Sequence, residues 1–304
     1  MTIDLRTVLG LGVAGNFTGH LEQAGEASDF ADLAVPTGRP KGIFPFYIPP
    51  AARAAAEVPG HHFLHIFPLS RDTIEHPGTI AGHSAKLQIE PEIALRCELD
   101  YVDHPASPGR CRVAAVRPTH FTAYNDCSTR RPDATKISEK KNWGPRTKGL
   151  ADDQWMAIDR FAPGGVLDRF RLACYLRRDA QLLSYGEDSP VAGPGGYATM
   201  YTPLLDWLAE QLNGQRDVGP LENLSQWLHA AGYPRHAVVS IGATRYTDLG
   251  ETTFLQPGDE SIVIAYDQTV HRPESVPQLI STQADREHAG RSLAVLRQCV
   301  VART

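Results

Sequence analysis

The sequence predicts a β-dominated α+β fold, and three observations lead there. From about residue 61 onward, short runs rich in β-branched and aromatic residues recur between turn residues. Only a few stretches carry apolar residues at helical spacing. Most strand-like runs have no helix behind them, so alternating βαβ units of a doubly wound sheet are not expected.

Taken in order, the chain opens with a β-rich run over Thr7–Val13. GNFTGHLEQAGEASDFADLA follows, where a turn at Gly15 and Asn16 leads into a short helix. The Pro-rich passage PTGRPKGIFPFYIPP is the best candidate for a subdomain boundary. It separates a small amino-terminal segment, 1–60, with a lid-like helix, from a larger catalytic domain, 61–304. Strands are then expected at HFLHIFPL, LQIEPEIALRCELDYV, CRVAAVRPTHFTAYND, DRFRLACYLRRDAQLLSYG, HAVVSIGATRY and SIVIAYDQ. YTPLLDWLAEQLNG and LENLSQWLHAAGYP read as helices, the first with a glycine stop.

Composition narrows the function classes. The 304 residues carry a formal net charge of -5, which offers no basic field to a phosphate backbone, so nucleic acid is excluded as a partner. Five scattered cysteines, never spaced as CxxC, fit reduced thiols of a cytoplasmic protein and not a thiolate zinc site. No stretch approaches the roughly 20 apolar residues that a membrane span needs.

Several residues invite chemistry. In IEPEIAL, Glu90 and Glu92 lie two apart on a strand and so share a face, with Pro91 between them marking an edge or bulge. Their apolar company, Ile89, Ile93, Ala94 and Leu95, suggests a strand entering the core, where two like charges repel unless a cation sits between them. Asp126 ends an aromatic strand in AYNDCSTR, and Arg130 four residues on is placed to clamp a carboxylate. KKNWG offers cations on a rigid loop, His20 opens the short helix, and FLQPGDESIVIAYD is a turn leading into a strand. His61, His62 and His65 do not share one face of a β-like run, which argues against zinc; His65 and Phe67 are instead expected at the mouth of the site. AGPGGYATMY lacks the Lys-Ser/Thr of a phosphate loop, but places Tyr197 and Tyr201 where they could reach a substrate.

No one of these motifs is specific, but their order is. GNFTGH, IEPEIAL, AYNDCSTR, KKNWG and FLQPGDESIVIAYD, in that succession, resemble the fumarylacetoacetate hydrolase family over about Gly10 to Asp267. The resemblance implies a remote member with a mixed sheet rolled around a metal. It makes Glu90, Glu92 and Asp126 the metal carboxylates, with Mg2+ as the ion and Mn2+ or Ca2+ as alternatives. Lys141 becomes the site lysine, although Lys140 beside it satisfies the same pattern shifted by one. His20 becomes the general base with Glu22 adjacent, while Ser128 and Arg130 face the substrate. Where related chains place a glutamate three residues after the histidine, this one has Gln23. A fourth upstream carboxylate is also missing, since that stretch reads LGLGVAG.

The implied activity is metal-dependent hydrolysis of a carbon–carbon bond in an acylpyruvate-like or β-diketo acid, through a metal-held enolate. A 2-oxo acid decarboxylase or enol-keto isomerase on the same scaffold is the alternative, and a non-catalytic metal- or ligand-binding protein a third. A homodimer is expected by analogy.

Overall fold

In the computed structural model, residues 3–30, 38–50, 62–131 and 133–303 are described. Two sheets dominate. The larger has eight strands and runs through Gly42–Tyr47, Leu9–Ala14, His236–Ser240, Pro91–Asp103, Cys111–Asn125, Lys148–Leu150 and Leu69–Ser70, with Met156–Ala157 beside Cys111–Asn125. Leu9–Ala14 is parallel to His236–Ser240, and Lys148–Leu150 is parallel to Leu69–Ser70. The other pairings in it are antiparallel. The smaller, five-stranded sheet runs Gln181–Pro190, Phe170–Arg178, Glu260–Asp267, Leu293–Ala302 and Thr73–His76. The fold is therefore β-rich, mixed and curled, as expected.

One apolar core joins the sheets, with Ile93, Leu95 and Phe121 meeting Leu172, Val263 and Leu296. Phe121 and Phe170 touch edge to face at 4.8 Å where the sheets converge. The helices Tyr201–Gly214 and Leu224–Ala230 form as their spacing predicts, burying Leu204, Leu208, Trp227 and Leu228.

Several local outcomes differ from expectation for identifiable reasons. HFLHIFPL is a short 3-10 turn over His62–His65, which lets Leu64 point inward while His65 Nδ1 meets the Ile48 carbonyl. His61 lies outside the described residues. Phe67 does not line the site; it packs against Tyr47 at 5.2 Å under the Arg6 guanidinium. The Pro-rich passage contains the strand Gly42–Tyr47, and Pro45 is tolerated because that strand is at the sheet edge. Its aromatic residues explain LGLGVAG: a Cβ on Gly10 or Gly12 would come within 2.3 Å of Phe46 or 2.2 Å of Phe44. The strand Leu293–Ala302 and the helix Val276–Thr282 had no expectation at all.

A buried carboxylate triad beside a buried histidine

The long hairpin Pro91–Asp103/Cys111–Asn125 sets the geometry. Pro91 pairs with Asn125 and Glu92 with Tyr124, while the Asp126 amide donates to the Glu90 carbonyl at 2.9 Å. Alternation then puts Glu90, Glu92, Tyr124 and Asp126 on one face. One oxygen each from Glu90, Glu92 and Asp126 lies within 4.8 Å of the others, and all three residues are buried. Pro91 costs nothing here because it is the first residue of the strand.

Protein cations answer two of the three acids. Lys141, the last residue of the helix Ile137–Lys141, donates to Glu90 Oε2 at 2.5 Å and lies 2.8 Å from Asp126 Oδ2. Lys140 turns the other way, to Asp29 at 2.5 Å and Glu26 at 3.6 Å. Lys148 is fully buried on its strand, 2.9 Å from Asp126 Oδ1, and donates to the Cys127 carbonyl. Arg130 is 2.8 Å from Glu90 Oε1. Even so, Glu90 Oε1 and both Asp126 oxygens lack an aligned hydrogen bond.

Glu92 has no ion-pair partner among the described residues; it accepts the Gly242 amide at 2.8 Å. Burial, then the charge of Asp126, holds its carboxyl well above the usual range. Burial works the same way on Glu90, but Lys141 and Arg130 outweigh it and keep that carboxyl ionised. Three converging carboxylates, with Glu92 lacking an ion-pair partner among the described residues, fit a hard divalent cation.

His20 and Glu26 line, together with Glu90, Glu92 and Lys141, a cavity of about 20 Å³, room for a single water. His20 is 5% exposed, its Nδ1 has no partner, and its ring leans on Tyr246 at 5.2 Å. Burial lowers its pKa, and Arg130 and Lys141 add to that against the opposing Glu90 and Glu26 charges, so the ring is neutral near pH 7. Gly19, in the left-handed region with φ 86°, turns the chain into this helix.

The remaining expected residues divide. Ser128 is in the group: its Oγ accepts from Lys141 at 2.7 Å and donates to the Asp126 carbonyl at 2.8 Å. Tyr197 is buried next to Glu92, its hydroxyl taking the Ile93 amide at 3.3 Å. Tyr201 is elsewhere, bonded to Asp168 and packed on Phe161, because the loop and helix start carry it to another face. Glu22 is exposed and not brought to His20, since the helix turns its side chain to solvent. Gln23 is engaged with Tyr246 through both its amide nitrogen and oxygen. Arg130 is no free clamp: it donates to Gln88 at 2.5 Å, Glu26 at 2.8 Å and the Tyr246 hydroxyl at 2.8 Å.

Four residues had not been singled out. Glu26, and not Glu22, is the acid that lines the cavity with His20, and Lys148 is a second buried lysine. Tyr246 and Gly242 come from the His236–Ser240 side of the sheet. Only Lys148 left a signal, as a lone cation in TKGL beside the rigid Trp143–Gly144–Pro145.

Residues 26–300 match the model of DUF5718, a family of unknown function. The chain belongs to that family. No curated protein matches its sequence. Among solved structures, this DUF5718 chain is similar to a yeast fumarylacetoacetate hydrolase family protein, at 13% identity and TM-score 0.47, covering 99% of this chain and 96% of that one. It is also similar to the fumarylacetoacetate hydrolase of Exiguobacterium antarcticum, at 12% identity and TM-score 0.43, over 97% and 76% of the two chains. A 2-keto-3-deoxy-D-arabinonate dehydratase complexed with magnesium and 2,5-dioxopentanoate is similar at 10% identity and TM-score 0.42, over 97% and 73%.

Proposed function

We propose that this DUF5718 chain is a divalent-metal-dependent enzyme that hydrolyses a carbon–carbon bond in an acylpyruvate-like or β-diketo acid. One observation carries the reading: Glu90, Glu92 and Asp126 converge within 4.8 Å, and a buried histidine lines the same cavity as Glu90 and Glu92. Glu90, Glu92 and Asp126 would hold the ion, Mg2+ first, with Mn2+ or Ca2+ as alternatives, their oxygens suiting a hard cation that keeps waters. When bound, that ion polarises the carbonyl of a chelating 2-oxo acid and stabilises negative charge developing on its oxygen.

The chain's own groups supply the rest. His20, neutral and with Nδ1 unpartnered, accepts the proton of the attacking water and returns it to the carbon of the departing fragment. Glu26, ion-paired with Arg130 at 2.8 Å, contributes a fixed negative charge that favours the imidazolium formed in that step. Tyr246 supports the ring from one side. Burial of the triad keeps bulk water from the reacting centre.

The absence of a carboxylate at position 23, where Gln23 is bound to the Tyr246 backbone, favours a second reading. A histidine without that partner is suited to moving a proton on carbon, as decarboxylation or enol-keto tautomerisation requires. The two part on product: an acylpyruvate yields pyruvate and a carboxylic acid, an oxaloacetate-type substrate yields carbon dioxide.

The test is Glu92→Ala. Metal binding by titration calorimetry and turnover of acetylpyruvate should vanish together, and turnover persisting in chelator-treated buffer overturns the proposal.

A further inference from the structure

The Lys141 ammonium donates hydrogen bonds to Glu90 Oε2 at 2.5 Å and Ser128 Oγ at 2.7 Å, and it is ion-paired with Asp126 Oδ2 at 2.8 Å. Two of these belong to the triad, so Lys141 bridges the carboxylates that a dication there would also bridge. Lys148 differs: it touches Asp126 only, through the other oxygen, and it is fixed in a buried strand. Lys141 is at the end of a five-residue helix and lies 5.2 Å from the face of Phe44. With Ser128, that ring gives the ammonium a place to rest without the carboxylates.

We propose that Lys141 is a tethered competitor for the metal: it closes the triad when no ion is bound and withdraws onto Ser128 and Phe44 to admit one. The inference rests on the metal-site reading above. Charge agrees with it. Glu26, Glu90, Glu92 and Asp126 face Arg130, Lys141 and Lys148, so the protein's own cations offset all but about one of the four acids. A dication entering the triad therefore meets the repulsion of an ammonium already held on oxygens of Glu90 and Asp126. Lys141 thus sets the concentration at which metal binds.

The experiment is calorimetric titration of the chelator-treated protein with Mn2+. Lys141→Met should bind Mn2+ roughly tenfold or more tighter than the unsubstituted protein, because the competing charge is gone. Lys141→Arg, which keeps the charge, should show no such gain. Ser128→Ala removes the resting place and should weaken Mn2+ binding about threefold or more, and it tests the proposal even if Lys141→Met does not fold. Equal or weaker binding by Lys141→Met, a matching gain by Lys141→Arg, or unchanged binding by Ser128→Ala overturns the competitor role. If Mn2+ binds to none of them, nor to the unsubstituted protein, the metal reading itself falls and this inference with it. If Mn2+ binds and Glu92→Ala abolishes it while Lys141→Met binds equally, only the competitor role falls.

Discussion

At the scale of single residues, the site is governed by which acids have partners. Asp126 is fully buried between Lys141 and Lys148. Replacing one member of such a pair leaves an uncompensated charge where water cannot reach, which costs more than the pair ever contributed. Asp126→Asn should therefore lower unfolding free energy by roughly 3–5 kcal/mol in the metal-free protein, measured by chemical denaturation. A loss under about 1 kcal/mol would mean the lysines find other partners. Gly242 is a second sensitive point. Its φ of 114° is one that L side chains rarely adopt, and an added Cβ would stand 3.1 Å from Asn16 Cβ. Gly242→Ala should cost about 1–3 kcal/mol of stability through that strain. It should also weaken metal binding, because the Gly242 amide orients Glu92; calorimetry on the variant checks both.

At the scale of elements, the helix Ile137–Lys141 deserves its own physics, since it aims two lysines in different directions. Near Ser138 of that helix is Glu222, 1% exposed. Burial pushes its carboxyl up to about 8, against the smaller opposing pull of Ser138 and Lys136. The native protein thus holds a proton that the unfolded chain releases above its ordinary value of 4.5. Stability from this group is complete below pH 4.5 and is lost as pH rises toward 8. Glu222→Gln should remove that slope and raise the melting temperature at pH 9 relative to the unsubstituted protein, with little difference at pH 4. An unchanged pH profile of melting would rule the account out.

The whole molecule couples the site to folding. The triad is built from the hairpin around Pro91 and Asn125, His20 comes from near the amino terminus, and Gly242 and Tyr246 follow His236–Ser240, the strand paired with Pro91–Asp103. None of these comes together in an unfolded chain. A metal that binds only the native state should therefore raise unfolding free energy by about 2.7 kcal/mol at a concentration of one hundred Kd. Thermal denaturation with and without Mg2+ or Mn2+ reads this directly, and Glu92→Ala should abolish the gain. Among the described residues, no helix is long and apolar enough to cross a membrane.

How much of this was legible depended on distance along the chain. Two carboxylates two residues apart share a strand face whatever the rest of the protein does, so Glu90 and Glu92 could be paired from the sequence. The long helix Tyr201–Gly214 was equally plain, because its apolar spacing is local. Glu26 was not legible: it lies past a glycine turn, and only the placement of that turn over Arg130 makes it part of the site. Tyr201 erred the other way, since a tyrosine in a glycine-rich loop says nothing about which face the next helix presents. Alternation and helical spacing are properties of neighbouring residues, so the sequence by itself determined the β-rich class, the shared face of Glu90 and Glu92, and the aspartate ending the next strand. Tertiary structure decided which cation meets which acid, that Arg130 is engaged by the protein, and that His20 stays neutral, because charge and desolvation depend on what packs from far along the chain.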